Sequence, residues 1–526
     1  MKDFLTFLSS HSNEIWTQTT EHLYITLIAM GIGSAIGVLT GILLTRRERL
    51  ASTILGLVGI IQTIPSLALL GFLLPIFGIG VVPAVIALFM YALLPIVRNT
   101  YTGIKEIDPA IKEAAKGMGM TNLQLLRYVE IPIAFPVILA GIRTATVINV
   151  GVATLCALIA AGGLGEFIFR GVTLNNSNMI LAGAIPASAL AITLDTYLGL
   201  VVKYARKKKL LYVLLAIPLI VLTISLLPSG QSSKALPIKA GFNSEFIYRE
   251  DGYEGLEAAY NLPLEIKEMD LGLLYAALEN KEVDIIEGFT TDGKMMAYDF
   301  VRIEDDKNYF PPYYAAPLVN NQILTEHPSI STALNKLDGV ISDELMSEIN
   351  FEVDENQKSL KEAAALLIER TLGIKTNPEA GLKVNGEIVI GSKAFTESYV
   401  LAHVFAQLIE YETGLTTTLK LGFGGTKLLF DALRTNEVQI YPEYTGTGLL
   451  VILDAPHSKV KEIIRDENAV YDYVNLQFKE NYGISWLSPL GFNNTYAMLM
   501  RKEDAERLEL QTLSDLAQYV NETLER

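Results

Sequence analysis

The chain has 526 residues, 50% of them hydrophobic and 19% charged, with a formal net charge of −16. That length allows more than two domains, and the acidic balance argues against nucleic acid, as does the lack of a basic stripe with interleaved aromatics. The single cysteine, Cys156, lies in an apolar run, which excludes a disulfide framework and a cysteine-based metal site.

The charge is divided along the chain. Residues 1–229 carry 16 Lys/Arg against 10 Asp/Glu, a net +6, whereas residues 230–526 carry 26 against 48, a net −22. Six apolar segments in the first part, near 22–45, 52–77, 79–100, 132–161, 178–202 and 210–228, are long enough to cross a bilayer. Basic residues gather after the first (Arg46, Arg47, Arg49), around 98–127 (Arg98, Lys105, Lys112, Lys116, Arg127) and between the last two (Lys203, Arg206, Lys207, Lys208, Lys209). Taking these loops as cytoplasmic places the N-terminus and the exit after Leu227 outside. The glycine-broken AGGLGEFIFRG at 161–171 is too short to span and reads as a re-entrant or surface helix, or as an external loop. Asp195 lies in an apolar segment, where ionisable groups are often functional. Its place near the cytoplasmic end favours a snorkelling or capping role.

In the polar gap before 132, residues 113–132 read EAAKGMGMTNLQLLRYVEIP. Glu113, Ala114, Ala115, Gly119, Val129, Ile131 and Pro132 fit the pattern EAA, three residues, Gly, nine residues, hydrophobic, any residue, hydrophobic, Pro. This resembles the cytoplasmic coupling loop of ABC-importer permeases, which docks on an ATPase subunit. The resemblance implies that Glu113, Ala114, Ala115 and Gly119 contact that subunit. Gly119 would turn the chain and Pro132 would start the next helix.

From 239 onward, strand and helix patterns alternate, which indicates mostly parallel sheets. IKAGF, LEIKEMD and DIIEGF read as strands, as do EIVIGSK, TTLKLGFGG and QIYPEYTGT. GFGGTK at 422–427 is not a nucleotide loop, because no GxxxxGK[ST] string occurs in the chain. The five histidines are scattered, with none paired at i, i+4, and nothing resembles an activated nucleophile. No cofactor or metal and no enzyme activity are expected.

GSKAFTES, GFGGTK, YPEYTGT, GFNNTYA, REDGYEGL, TTDG and YDFVRIEDDKNYFPPYYAAPLV together resemble the substrate-binding proteins of quaternary-ammonium ABC importers, which carry glycine betaine, choline and carnitine. One departure stands out. In that family the GSK segment comes first, whereas here 239–373 corresponds to the usual second half and 388–526 to the first. The order looks like a circular permutation, which is tolerated where termini lie close together at the surface.

A quaternary ammonium has no N–H to donate, so aromatic faces must recognise it. The resemblance implies Tyr444, Tyr313 and Phe289 as walls of an aromatic cage, with Phe492 or Tyr496 as the fourth. Phe289 stands where relatives commonly have Tyr. A ligand carboxylate would draw on Arg249, Thr447 and Lys393, with Asn493 and Asn494 as further candidates. Arg249 could instead pair with Glu250 or Asp251 as a surface ion pair, and Glu245 reads as solvated.

The expected architecture is multi-domain: an all-α polytopic membrane domain of the ABC-permease fold plus an α/β two-lobed periplasmic-binding-protein-like domain. Its parts are a five-helix permease over 1–209, a sixth helix or anchor over 210–229, and an extracytoplasmic binding domain over 230–526. The expected function is permease and receptor of an ATP-driven importer in a bacterial or archaeal cytoplasmic membrane. It would work as a homodimer in lipid, with a separate ATPase subunit. The rival readings are an importer of another betaine such as ergothioneine, and a membrane-anchored sensor that does not transport.

Overall fold

In the computed structural model, residues 2–174, 176–204, 236–249, 251–376, 388–423 and 425–525 are described. They divide into a helical unit in the first part and an α/β unit in the second. The sixth expected span, 210–228, lies outside the described residues.

The helical unit runs through α1 (Lys2–Ser10), α2 (Ser12–Arg46), α3 (Glu48–Thr63), α4 (Ser66–Phe77), α5 (Val81–Lys105), α6 (Pro109–Gly117), α7 (Asn122–Leu125), α8 (Ile131–Ala153), α9 (Gly165–Thr173) and α10 (Ser177–Tyr204). Among the described residues, α2, α5, α10 and the run Asn122–Ile159 are each long and apolar enough to cross a membrane. The expected single span 52–77 is corrected to a pair, α3 and α4, bent by 97°. Ile64 sits at the break with φ −67 and ψ 127, because a residue before proline is driven out of the helical region. The Ile64 carbonyl released there accepts the Tyr91 hydroxyl.

Close packing of α2 on α5 depends on three glycines one helical turn apart. A Cβ on Gly33, Gly37 or Gly41 would lie 3.0, 2.8 or 2.5 Å from Ala92, Ile96 or Thr100 respectively. The contacts at 37 and 41 leave no room for a side chain. Gly41→Val is therefore expected to cost about 1–3 kcal/mol of stability and to lower the melting temperature of the detergent-purified protein by several degrees.

Segment 161–171 is irregular over 161–164 and helical from Gly165 in α9. It is fastened to α2 by Gln18 donating to Glu166 at 2.7 Å and by Arg170 pairing with Glu14 at 2.6 Å. Asp195 lies within α10, away from its ends, and does not cap it. It accepts Arg143 Nε at 2.9 Å and Nη2 at 2.7 Å, a bidentate pair joining α8 to α10. Asp108 caps α6 through the Ala110 N–H, and Gly119 adopts φ +83. Thr121 and Gln124 then form a capping box that starts α7. Pro132 stands in the first turn of α8, as expected of a residue with no N–H to spend there. The run is continuous from Asn122, with a π turn over Leu126–Glu130 just ahead of this residue, which has no N–H to donate.

The α/β unit contains two five-stranded sheets. The strands are β1 (Lys239–Phe242), β2 (Glu265–Glu268), β3 (Ile285–Phe289), β4 (Phe300–Ile303), β5 (Ala315–Asn320), β6 (Ile388–Lys393), β7 (Thr417–Phe423), β8 (Ile440–Tyr444), β9 (Ile484–Trp486) and β10 (Tyr496–Arg501). Their orders are β2-β1-β3-β10-β4 and β7-β6-β8-β5-β9. In each sheet the first three strands run parallel, and the strand received from the other half is antiparallel. The lobes are thus not the two sequence halves. β10 completes the first sheet and β5 completes the second, so segments 304–314 and 487–495 cross between lobes. A Tyr314–Asn493 bridge pairs these crossings. The two halves close within one chain.

Candidate functional site

The ends of interior strands of both sheets and the first crossing converge on a run of aromatic rings. Tyr444 ends β8, Phe289 ends β3, Tyr496 begins β10 and Tyr313 lies in the first crossing. Ring centroids are 6.2 Å apart for Tyr444–Phe395, 6.2 Å for Phe395–Phe289, 5.1 Å for Phe289–Tyr496 and 5.6 Å for Tyr496–Tyr313. The run therefore passes from the second lobe to the first through Phe395 and Phe289. Tyr444, Tyr313 and Tyr496 are buried, and Phe289 is half-buried.

Arg249 is buried, and its ion pair is not on the surface. It donates to both oxygens of Asp251, and Nη2 reaches the Tyr313 hydroxyl at 3.1 Å. Its guanidinium lies 5.8 Å from the Tyr313 centroid and 5.6 Å from that of Tyr496. Nη1 is 3.6 Å from Glu245, beyond hydrogen-bond length. Glu245 is not merely solvated, since it accepts Thr426 Oγ1 of the opposite lobe at 2.8 Å. Lys393 pairs with the fully buried Glu443 at 2.6 Å and stands 5.4 Å from the Tyr444 ring. Thr447 is buried in the turn after β8.

Two expected members lie elsewhere. Phe492 is completely buried in the hydrophobic core, and none of the ring contacts of the run involves it. Asn493 spends its side chain on the crossing itself, where Oδ1 accepts the Tyr313 N–H at 2.6 Å. Its neighbour Asn494 does reach the site, donating to Glu397 at 2.8 Å.

Glu397 and Phe395 are the residues that sequence reasoning missed. Both stand in GSKAFTES, the motif already placed at the cleft for Lys393. Glu397 is buried and accepts four side-chain donors: Tyr444 at 2.6 Å, Asn494 at 2.8 Å, Thr291 at 2.6 Å and Asn350 at 3.2 Å. Burial pushes its pKa up to about 7 against the opposing pull of these bonds. Burial likewise raises Asp292 to about 6, although it accepts the Phe289 N–H and the Tyr275 hydroxyl. Chemically, the arrangement offers ring faces to a cation, backed by carboxylates that accept hydrogen bonds from neutral donors. Separately, a groove of about 1080 Å³ follows the crossings, lined among others by Arg302, Asp305, Arg465 and Glu467. Of the five rings it borders only Tyr496.

Comparison with known proteins matches both parts of the chain. Residues 228–369 and 386–526 match the substrate-binding domain of the ABC-type glycine betaine transport system. Residues 33–226 match the inner-membrane component of binding-protein-dependent transport systems. The glycine betaine/carnitine/choline transport system permease protein of Bacillus subtilis (strain 168) is 48% identical over 199 residues, 38% of this chain and 92% of that protein. A carnitine transport permease protein of Listeria monocytogenes is also 48% identical, over 38% of this chain and 91% of that protein. A solved glycine betaine/carnitine/choline ABC transporter is 32% identical, covering 26% of this chain and 51% of that one, with a TM-score of 0.22.

Proposed function

Because the chain belongs to the ABC-type glycine betaine transport family, with inner-membrane permease and substrate-binding domain in one polypeptide, we propose that it captures quaternary-ammonium compounds among the five rings and conducts them through its own helices. It is a multi-pass membrane subunit of an importer for quaternary-ammonium osmoprotectants, and not itself an enzyme. The finer assignments are part of the proposal. A separate ATPase docks on α6, two copies complete the pathway, and the binding domain faces the extracytoplasmic side. Residues 239–373 and 388–526 stand in permuted order relative to the family.

The observation that carries the site is the unbroken ring contact from Tyr444 to Tyr313 across both lobes. Such faces attract a cation that cannot hydrogen-bond, more strongly when water is excluded. Arg249 Nη1 and Lys393 are the donors for a ligand carboxylate. Calorimetric titration of the full-length protein with glycine betaine, choline, carnitine and ergothioneine tests this. Tight binding of one of them is expected, and binding of none would overturn the assignment.

The carboxylates predict a pH dependence. A cation among the rings favours the charged forms of Glu397 and Asp292, so binding lowers both pKa values and releases protons below about pH 7. The Lys393–Glu443 pair, close to Tyr444, is neutral in sum and leaves this sign unchanged. Choline affinity should therefore rise from pH 5 to about 7 and be flat above. Because the two acids interact, the midpoint belongs to the pair. Titrations across this range check it, and affinity that fell with rising pH would contradict the placement of the cation.

A further inference from the structure

We propose that Glu397 is a positioning residue that latches the two lobes together and fixes Tyr444 as a wall of the cage. The latch stands on contacts within the chain itself, while the role given to Tyr444 rests on the cleft reading above. Glu397 belongs to the first turn of the helix Thr396–Thr413, where backbone N–H groups favour a negative charge. A buried carboxylate must have its lone pairs satisfied. Here the donors come from four separate places. Tyr444 ends β8, Asn494 lies in the second crossing, Asn350 is on the helix Asp343–Asp354, and Thr291 follows β3 in the other lobe.

Thr291 is the first lobe's donor to this carboxylate. Asn350 reinforces the joint, because its amide donates both to the Thr291 carbonyl at 2.9 Å and to Glu397 at 3.2 Å. Two residues before Glu397, Phe395 stacks on Phe289 of the first lobe. One turn of chain therefore delivers both the ring contact and the carboxylate that join the lobes. Separating the lobes would strip Thr291 from Glu397 and leave a buried charge under-satisfied. A phenol that donates to a carboxylate also becomes richer in electrons, which strengthens its face toward a cation. Closure and cation recognition thus meet at one side chain.

The test uses the full chain in lipid nanodiscs, with spin labels at Glu254→Cys and Lys479→Cys, one exposed position on each lobe; the native Cys156 is buried. Label distances are measured with and without choline, and affinities for choline and glycine betaine by calorimetry. Glu397→Gln should lengthen the label distance and weaken binding about ten- to hundredfold, the range for a hydrogen-bonded buried charge. Thr291→Val, which keeps the carboxylate and its other donors, should lengthen the distance and weaken binding by roughly three- to tenfold. The double variant should be no worse than Glu397→Gln alone, because Thr291 acts through Glu397. Wild-type distances in Thr291→Val would overturn the latch even if Glu397→Gln did not fold, and additive losses in the double variant would overturn it where both fold. A longer label distance in Thr291→Val, together with a wild-type protein that binds neither compound, would overturn the cleft reading and leave the latch standing.

Discussion

Tyr444→Ala is expected to reduce affinity for the preferred quaternary-ammonium compound by about 100-fold, the largest single effect in the binding domain. Two losses combine. The ring is a cation face in a buried site, worth about 2 kcal/mol where water is excluded. Its hydroxyl is also a donor to Glu397, and removing it leaves a buried carboxylate short of one bond. Together these reach about two decades at 1.4 kcal/mol per decade. Tyr444→Phe separates the two, since it keeps the face and should lose only about tenfold or less. Phe492→Ala is the control that distinguishes cage from core. Its ring is completely buried in the hydrophobic cluster, so truncation should destabilise the domain by about 3–5 kcal/mol, while the affinity of the remaining folded protein stays close to wild type. Calorimetry and thermal melts on the same three preparations give both readings. Wild-type affinity in Tyr444→Ala would remove the ring run as the binding site.

The outcome for Phe492 shows where sequence stops being informative. The motif GFNNTYA places a phenylalanine and a tyrosine four residues apart, and nothing local says which faces a ligand. Pairing of β10 with β3 brings only the tyrosine into the ring run, by setting Tyr496 directly opposite Phe289. That pairing joins residues more than 200 positions apart, beyond the reach of any local pattern. β1, β3, β6 and β8 were legible as short, largely apolar runs closed by a turn, and β2 and β7 by their place in the alternation of strand and helix patterns. β4, β5, β9 and β10 take their places from the exchange between halves. The bend between α3 and α4 had a visible signal in Ile64–Pro65, masked by unbroken hydrophobicity on both sides. Asp195 needed its partner, Arg143, which no periodicity could supply. Glu397 was hidden by chemistry of another kind. A glutamate in the first turn of a helix ordinarily reads as a solvated complement to the macrodipole, and only the four converging donors show its burial.

Uptake, as opposed to binding, is expected to be abolished by changes in the segment 109–125. This segment is fastened to the helices on either side of it. Asp108 caps α6, Lys112 Nζ donates to the Ile104 carbonyl at 2.7 Å, and Ala115 packs inward with 2% of its surface exposed. Arg46 at the end of α2 pairs with the buried Glu130 of the following π turn. What remains outside is a mixed surface of Glu113, Ala114, Met118, Gly119 and Leu123, charged and apolar side by side. Of the two alanines in the motif, Ala114 is exposed and Ala115 is buried. Gly119 sets the path of this surface with φ +83, where a side chain would meet no neighbour but the backbone would be strained by roughly 1–2 kcal/mol. Gly119→Val should accordingly re-route the turn without disturbing the helices behind it, and Glu113→Arg should reverse the charge offered to a basic partner. Each is expected to cut ATP-driven choline uptake in proteoliposomes at least about tenfold, the scale of a lost charged contact at a docking surface, and the pair together to reduce it to background. Calorimetric affinity should be unchanged in both. Uptake that survived the double change would mean that energy enters the membrane helices elsewhere. Loss of binding along with uptake would point instead to a general failure of the fold, because the ring cleft is built entirely from residues after 239.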